Sequence, residues 1–382
     1  MFETSIIEIN KSALDANLKF IRKQIGNRKL SCVVKGNAYG HGIEEYVPMA
    51  EQLGVNHFAV YSADEAERIH SIKLPETEIM IMGSVDDAAL AWAIENGIEC
   101  WMFELDRLEK AIELGRDLGK KALIHIELET GMNRTGFKAK NLEKAAELLL
   151  KNSNQVEIVG ICTHFAGAES ISNYYRIKDQ IEVYNKLVAQ LIQLNIKAKY
   201  YHTCCSAACL RFPEMMRDMV RIGILQFGFW PSQETFIEFT RNQNTKTDPL
   251  KRLITWKSAL MSIKEVNSGD YIGYGTSFLA QRDMTIGICP VGYSHGFSRS
   301  LGNQGRAVVN GTRVSVIGTV NMNCIALDLS EVSAEKGDEV LLIGSDGIAE
   351  VSVASFSEFS NQLNYELLTR LPLNIPRIVT HN

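Results

Sequence analysis

Eight short apolar runs, each followed by an amphipathic stretch, fill most of the first 235 residues, and this alternation leaves few folds open. The runs are Ser31–Val34, His57–Tyr61, Ile79–Met82, Ile98–Met102, Ala122–Leu128, Glu157–Thr163, Lys199–Thr203 and Val220–Ile224. Between them, stretches near Glu44–Leu53, Ala63–Ile72, Asp86–Asn96, Glu104–Leu118, Asn141–Lys151 and Asn173–Leu194 carry helical periodicity. In the last, Ile177, Ile181, Tyr184, Val188 and Leu191 recur at three- or four-residue spacing. A further helix, near Lys11–Ile25, precedes the first run. Eight strands alternating with helices over this length are the signature of a (β/α)8 TIM barrel. An open doubly wound sheet is the competing arrangement, but it calls for a G-x-G-x-x-G turn after its first strand, where this chain has Lys35.

Beyond residue 235 the pattern changes. Gln233 to Arg252 mixes polar, acidic and basic residues, and 242–249 reads as a linker. Alternating or apolar runs follow at Thr255–Ile263, Thr285–Val291, Arg306–Val309, Arg313–Val320, Cys324–Leu329 and Glu339–Ile343. Asn310-Gly311 between two of them is expected to form a type I′ hairpin turn, in which both residues take positive φ. The expected organisation is a barrel over 1–242 and a mainly β domain over 243–382.

Charge narrows the function. A net charge of −5 and a pI near 6.0 provide no field for a polyanion, and no Lys/Arg run or basic aromatic stripe appears, so no nucleic-acid partner is expected. With no leader-like N-terminus and no long apolar stretch, a soluble cytoplasmic protein without membrane contact is expected. Most of the eight cysteines fall inside strand-like runs and read as reduced, buried thiols. Cys204, Cys205 and Cys209 beside His202 lack a C-x-x-C pair or a second ligand cluster, so no metal is expected.

Lys35 ends the first run and is followed by Gly36-Asn-Ala-Tyr-Gly-His-Gly42. A lone lysine at a strand end ordinarily snorkels to solvent. Here the surrounding polar and flexible residues mark a site, and partial desolvation would lower the amine pKa and suit it to imine chemistry. On a barrel, Lys35, Glu127 with Arg134, His164, Ser206 and Arg221 all fall at or after strand ends, and so converge on one mouth.

These residues carry a resemblance to the alanine racemase family over nearly the whole chain. It rests on Val33-Val-Lys-Gly-Asn-Ala-Tyr-Gly-His-Gly42, Thr130-Gly-Met-Asn-Arg134, Thr163-His-Phe-Ala166, Ser206-Ala-Ala with Arg211-Phe-Pro213, Val220-Arg-Ile-Gly-Ile224, Ile272-Gly-Tyr-Gly275 and Val320-Asn-Met322, in this order. The resemblance implies pyridoxal 5′-phosphate held by Lys35 as an imine, and a homodimer with shared sites. Tyr274 of the partner's β domain would be the second base, on the face of the substrate Cα opposite Lys35. An ordinary phenol, pKa about 10, is a poor base at neutral pH, and His164 and Arg221 resemble the polar network that activates it. Arg221 would also face the pyridine nitrogen, where a guanidinium donates a hydrogen bond but scarcely a proton. Tyr39, Ser206 and the N–H groups of Gly223 and Ile224 would hold the phosphate. Arg134 would touch the cofactor and the substrate carboxylate, and the Met322 N–H and Tyr293 would complete the substrate site.

The chain departs from the family pattern at four places. Glu127 occupies a position where many members carry a carbamylated lysine, and its carboxylate is expected to replace that group in steadying Arg134. Asn321-Met322-Asn323 stands for Cys-Met-Asp, and Gly292-Tyr-Ser-His-Gly296 for Gly-Tyr-Ala-Asp-Gly. Leu373 aligns with a tyrosine that narrows the entrance, so its loss, with the acid missing at Asn323, makes larger substrates harder to exclude. The expected function is therefore an alanine racemase, with a serine or broad-specificity racemase as the alternative. A pyridoxal-phosphate barrel decarboxylase would want an acid in place of Arg221, and a non-catalytic carrier would lack the β domain.

Overall fold

The structure, a computed structural model, describes residues 3–241, 247–352 and 364–381. The chain forms two compact units, one of Ala13–Gly36 and Val47–Lys251, the other of Met1–Ser12, Asn37–Tyr46 and Arg252–Asn382. The junction expected at 242/243, with the first part of the 242–249 linker, lies outside the described residues.

The chain begins with β1 (Ser5–Asn10), a strand not singled out from sequence, and the helix Lys11–Ile25. Each of the eight apolar runs then becomes a strand. They are β2 (Lys29–Val33), β3 (His57–Val60), β4 (Glu78–Ile81), β5 (Glu99–Met102), β6 (Ala122–Glu127), β7 (Val156–Cys162), β8 (Tyr200–His202) and β9 (Met219–Ile222). All pair in parallel, in the order β8 to β2 and then β9, so the last strand lies beside the first. At the remaining seam Asp218 N–H donates to Tyr201 O and Arg221 N–H to Cys204 O, both at 3.0 Å, and the sheet comes round as a barrel.

Every residue of β3, β5 and β9 is buried, as expected of strands with side chains filling one face and helices covering the other. In the helix Tyr174–Gln193 the buried stripe is Ile177, Gln180, Tyr184, Leu187 and Leu191, rotated slightly from the one read in sequence. Gln180 belongs to it because its amide is fully used: it accepts from Ala166 N–H at 2.8 Å and donates to Thr130 Oγ1 and His164 O at 3.1 Å. The stretch from Gln233, read as the start of a polar connection, is a helix over Gln233–Arg241. Its Phe236 and Phe239 pack on Trp230, and Phe239 on Phe20, an apolar face hidden among charged neighbours.

The other unit is built on a ten-stranded sheet. Its strands after β1 are β10 (Ile254–Ala259), β11 (Ser262–Val266), β12 (Met284–Cys289), β13 (Arg306–Val309), β14 (Thr312–Ile317), β15 (Ile325–Asp328), β16 (Glu339–Ser345), β17 (Glu350–Val351) and β18 (Arg377–Thr380). The run Thr255–Ile263 divides into β10 and β11, which pair with different neighbours, β10 with β1 and β16, β11 with β12. Val309 pairs with Thr312 across Asn310 (φ 48°) and Gly311 (φ 73°), the expected hairpin turn. β1 lies between β10, antiparallel to it, and β18, parallel to it.

After Lys35 the backbone makes a short helical turn of the opposite hand. Gly36, Asn37, Ala38 and Tyr39 have φ of 63°, 55°, 53° and 51°, and Gly40 follows at 82°. Three non-glycine residues in succession there cost roughly 1–2 kcal/mol each, so surrounding contacts must hold the turn. Within the second unit Ile43 N–H donates to Asn37 Oδ1 at 3.2 Å, and Arg377 Nε to Gly40 O at 3.1 Å. The same guanidinium donates to the carbonyls of Pro372, Leu373 and Ile375, tying the approach to β18 to the glycine turn. A Cβ on Gly40 would stand 1.9 Å from Leu368 O. Gly40→Ala is expected to lower the urea unfolding midpoint by the equivalent of roughly 2–3 kcal/mol, read by circular dichroism.

Candidate active site

The barrel unit brings Lys35, Glu127, Arg134, His164, Ser206, Arg221, Gly223 and Ile224 to the C-terminal ends of its strands. Lys35 lies two residues past the end of β2, its side chain reached by solvent yet crowded enough for its amine pKa to fall. Desolvation is the largest cause, and the Arg134 and Arg221 cations lower it further, while Glu65 and Cys205 oppose. His164, half-buried just past β7, has its pKa pushed down to about 3, by burial first and then by Arg221, Arg134 and Lys35. It is a neutral imidazole at any ordinary pH.

Arg221, buried in β9, has both terminal nitrogens engaged, and its Nε–H has no acceptor among the described bonds. Its guanidinium donates to Thr163 O at 2.8 Å, His202 O at 3.1 Å, Thr203 O at 3.3 Å and His202 Nδ1, and stacks over Trp101 with 5.2 Å to the ring centre. Glu127 ends β6, buried, with one carboxylate oxygen lacking any hydrogen-bond partner. Burial raises its pKa, and Thr135 and the charges of Arg134 and Arg221 pull it back. Arg134 is exposed and makes no ion pair with Glu127 among the described residues.

Ser206 opens the short helix Ser206–Arg211 and its Oγ accepts the Gly223 N–H at 2.9 Å. The Gly223 N–H is therefore committed to the serine, while the Ser206 hydroxyl hydrogen remains to be donated. Ile224 starts a 3₁₀ turn, so its N–H has no intrahelical acceptor. A desolvated primary amine, a serine hydroxyl and a turn N–H form a donor set that fits an anionic aldehyde such as pyridoxal phosphate. Cys204, Cys205 and Cys209 form no metal-type cluster with His202 among the described residues. One such group, His57, Glu78 and Glu99, has ligand atoms within 4.8 Å of one another, but Lys29 pairs with Glu78 and His57 with Glu99.

The β unit presents the other expected residues. Tyr39, half-buried in the left-handed turn, meets Tyr365 edge to face with centroids 6.4 Å apart. Tyr274 stands 75% exposed between Gly273 (φ 77°) and Gly275 (φ 69°), where nothing would obstruct a Cβ, so the glycines are there for backbone freedom. The segments 292–296 and 321–323 are stitched together: Tyr293 N–H donates to Asn321 O and Ser294 N–H to Met322 O at 3.0 Å. Ser294 Oγ donates to Met322 O at 2.7 Å, and Asn323 Nδ2 to Ser294 Oγ at 3.1 Å. Tyr293, Met322, Asn323 and Leu373 all reach solvent, and the Met322 N–H has no protein acceptor among the described bonds.

With these placements established, the relatives are decisive. Residues 9–231 match the family of the alanine racemase N-terminal domain and residues 253–379 that of its C-terminal domain. The chain belongs to the alanine racemase family. It is 33% identical over 382 residues to alanine racemase from Leptospira interrogans, covering 98% of this chain and 96% of that one. It is 31% identical to alanine racemase from Desulforamulus reducens, covering 97% of each. Alanine racemase from Clostridium difficile has a similar structure, with a TM-score of 0.91, 27% identity, and coverage of 100% and 97%. That from Bartonella henselae, with covalently bound pyridoxal phosphate, gives 0.85 at 25% identity, covering 98% and 99%. The barrel followed by a β domain is thus the architecture of alanine racemases. No helix among the described residues is long and apolar enough to cross a membrane.

Sequence reasoning missed the polar residues inside the barrel: Ser31, His57, Glu99 and His125. The available signal was a polar side chain inside an otherwise apolar run, as His125 in Ala-Leu-Ile-His-Ile-Glu. A lowered pKa leaves more of the Lys35 amine unprotonated at a given pH, and removing a nearby cation raises that pKa again. In the apoprotein, an acylating reagent at pH about 8 is accordingly expected to modify Lys35 ahead of other exposed lysines, and Arg134→Ala to slow that modification, as read by peptide mass spectrometry.

Proposed function

We propose that the protein is a pyridoxal-phosphate-dependent alanine racemase, working as a homodimer with shared sites. The observation that carries it is Lys35: a lysine at a barrel strand end with a depressed amine pKa between two arginines, in a chain related to alanine racemases along nearly its whole length.

When bound, pyridoxal phosphate supplies the electron sink that makes the substrate Cα proton removable. The chain supplies the rest. Lys35 anchors the cofactor, and its released amine moves a proton on one face of Cα. The phenol oxygen of Tyr274 from the partner subunit moves a proton on the opposite face, and its exposure in a single chain is consistent with a role completed by a second one. The N–H of Ile224, the Ser206 hydroxyl and Tyr39 hold the phosphate. Arg134 and the Met322 N–H of the partner subunit hold the substrate carboxylate, and Glu127 stands in for a carbamylated lysine as the anion behind Arg134. Arg221 donates to the pyridine nitrogen without protonating it, which favours proton return over transamination. An invariantly charged guanidinium there also disfavours the decarboxylase reading.

A specific observation supports the alternative of a broader or serine-directed racemase. Leu373 is 67% exposed and Asn323 is neutral, so the entrance lacks a phenol and an acid. Comparing kcat/KM for L-alanine, L-serine and L-lysine separates the readings: preference for alanine supports the first, and preference for either longer substrate overturns it. Sharing of sites is tested with two inactive variants, Lys35→Ala and Tyr274→Phe. Random exchange of subunits should restore about a quarter of wild-type activity, because half the dimers carry one intact site. If the tyrosine acted within its own chain, mixing would restore none.

A further inference from the structure

A buried chain of hydrogen bonds runs through the barrel from Arg221 to Ser31, and the function above uses only its first member. His202 Nε2 lies 2.8 Å from His125 Nδ1, and His125 Nε2 lies 2.8 Å from Glu99 Oε2. Glu99 Oε2 is also 3.1 Å from His57 Nε2, whose Nδ1 is 3.0 Å from Ser31 Oγ. All six residues are buried, none of them exposed by more than 3%.

The direction of every bond follows from its two ends. A guanidinium only donates, so His202 Nδ1, which it meets, is a lone pair. The His202 proton is then on Nε2 and is donated to His125 Nδ1, leaving the His125 proton on Nε2 to be donated to Glu99. An ionised carboxylate only accepts, so His57 also donates through Nε2 and takes the Ser31 hydroxyl hydrogen on Nδ1. With Glu99 ionised and the rings neutral, no other assignment satisfies all five bonds. Burial, with the Arg221 charge, lowers the pKa of His125 and His202, which keeps both neutral. The two histidine bonds hold the carboxyl of Glu99 far below the usual carboxylate range against its desolvation.

The backbone is cut to accommodate this chain. Gly160 of β7 faces the histidine pair, and a Cβ there would lie 2.0 Å from His125 Nδ1 and 2.7 Å from His202 Nε2, the two atoms that share the proton. The β6–β7 register also shifts between Ile124 and His125.

We propose that Glu99 is a positioning residue for the racemase site, serving as the counter-charge of Arg221 and acting on it through His125 and His202. This rests on the proposed function for its catalytic half. A buried guanidinium without a compensating anion is costly. Glu127 also acts on Arg221 electrostatically, but among the described carboxylates Glu99 is the one joined to it by hydrogen bonds, through His125 and His202. The chain does not shuttle protons, because the guanidinium at its end cannot accept one. It orients the guanidinium and polarises it, each bond strengthening the next in a low-dielectric interior.

The test has two arms. With 15N-labelled histidine in wild-type apoprotein, the imidazole nitrogen shifts should place the proton of both His125 and His202 on Nε2, and a proton on His202 Nδ1 would overturn the assignment. This arm needs neither cofactor nor variant, so it stands whether or not the protein proves to be a racemase, and whether or not the variants fold. In the second arm, Glu99→Gln and Glu99→Asp are compared as holoenzymes. Glu99→Gln should lower kcat per bound pyridoxal phosphate roughly tenfold or more with KM nearly unchanged, and Glu99→Asp should recover part of the loss. If Glu99→Gln lowers only thermal stability or cofactor occupancy, with kcat per bound cofactor at the wild-type value, Glu99 is structural and the proposal fails. Absence of racemisation by the wild-type enzyme would instead sink the proposed function and leave the first arm intact.

Discussion

A parallel barrel hides both faces of its strands, and this requirement governs the unit that carries Lys35. Anything polar inside must find its partners there, because water does not reach it. Apart from one Glu127 oxygen at the mouth, the interior meets that demand chiefly with one connected set, from Ser31 through two histidines on either side of Glu99 to His202 and Arg221. The guanidinium at the mouth is thus held by groups rooted in five other strands or their ends, and cannot reorient without breaking several bonds. The site inherits its rigidity from the way the barrel satisfies its own polar core.

The β unit follows a different rule. Its strands shelter one face and leave loops free, and the catalytic expectations there rest on exposed side chains set on constrained backbone. Tyr274 stands between two glycines of positive φ, and Met322 lies on a segment pinned by Ser294. Such groups are well placed by their own loops yet lack cover, which is the arrangement expected of residues that complete a surface elsewhere. The departures at Asn323 and Leu373 fall in this uncovered region, where a change of side chain leaves the core undisturbed.

Much of this was legible in the sequence, for physical reasons. Each barrel strand is a continuous apolar run because it is buried on both sides, and every one of the eight was placed within a few residues. Asn310-Gly311 announced its hairpin because few other pairs tolerate positive φ twice. What escaped notice depended on distant partners. β1 reads as an unremarkable N-terminal segment until β10 and β18 flank it, and Gln233–Arg241 looked polar until Trp230 and Phe20 gave its phenylalanines something to cover. Glu99, His57 and His125 looked like isolated polar residues in apolar strands, since hydrogen bonds across a barrel leave no trace in local spacing. Arg221 and His164 were placed at the mouth by their strand ends, whereas Met322 was found only because the family pattern points to it.

The placement of β1 bears on how the protein is made. Ser5 pairs with Ser258, and Ile7 with Arg377, so the first strand to leave the ribosome waits for nearly the last. At ordinary synthesis rates the wait is on the order of 20 to 70 seconds, during which β1 is an unpaired edge joined to a barrel whose strands are all available by residue 222. Folding of this chain is therefore divided in time as well as in space, with the barrel able to assemble during translation and the β unit closing only as synthesis ends.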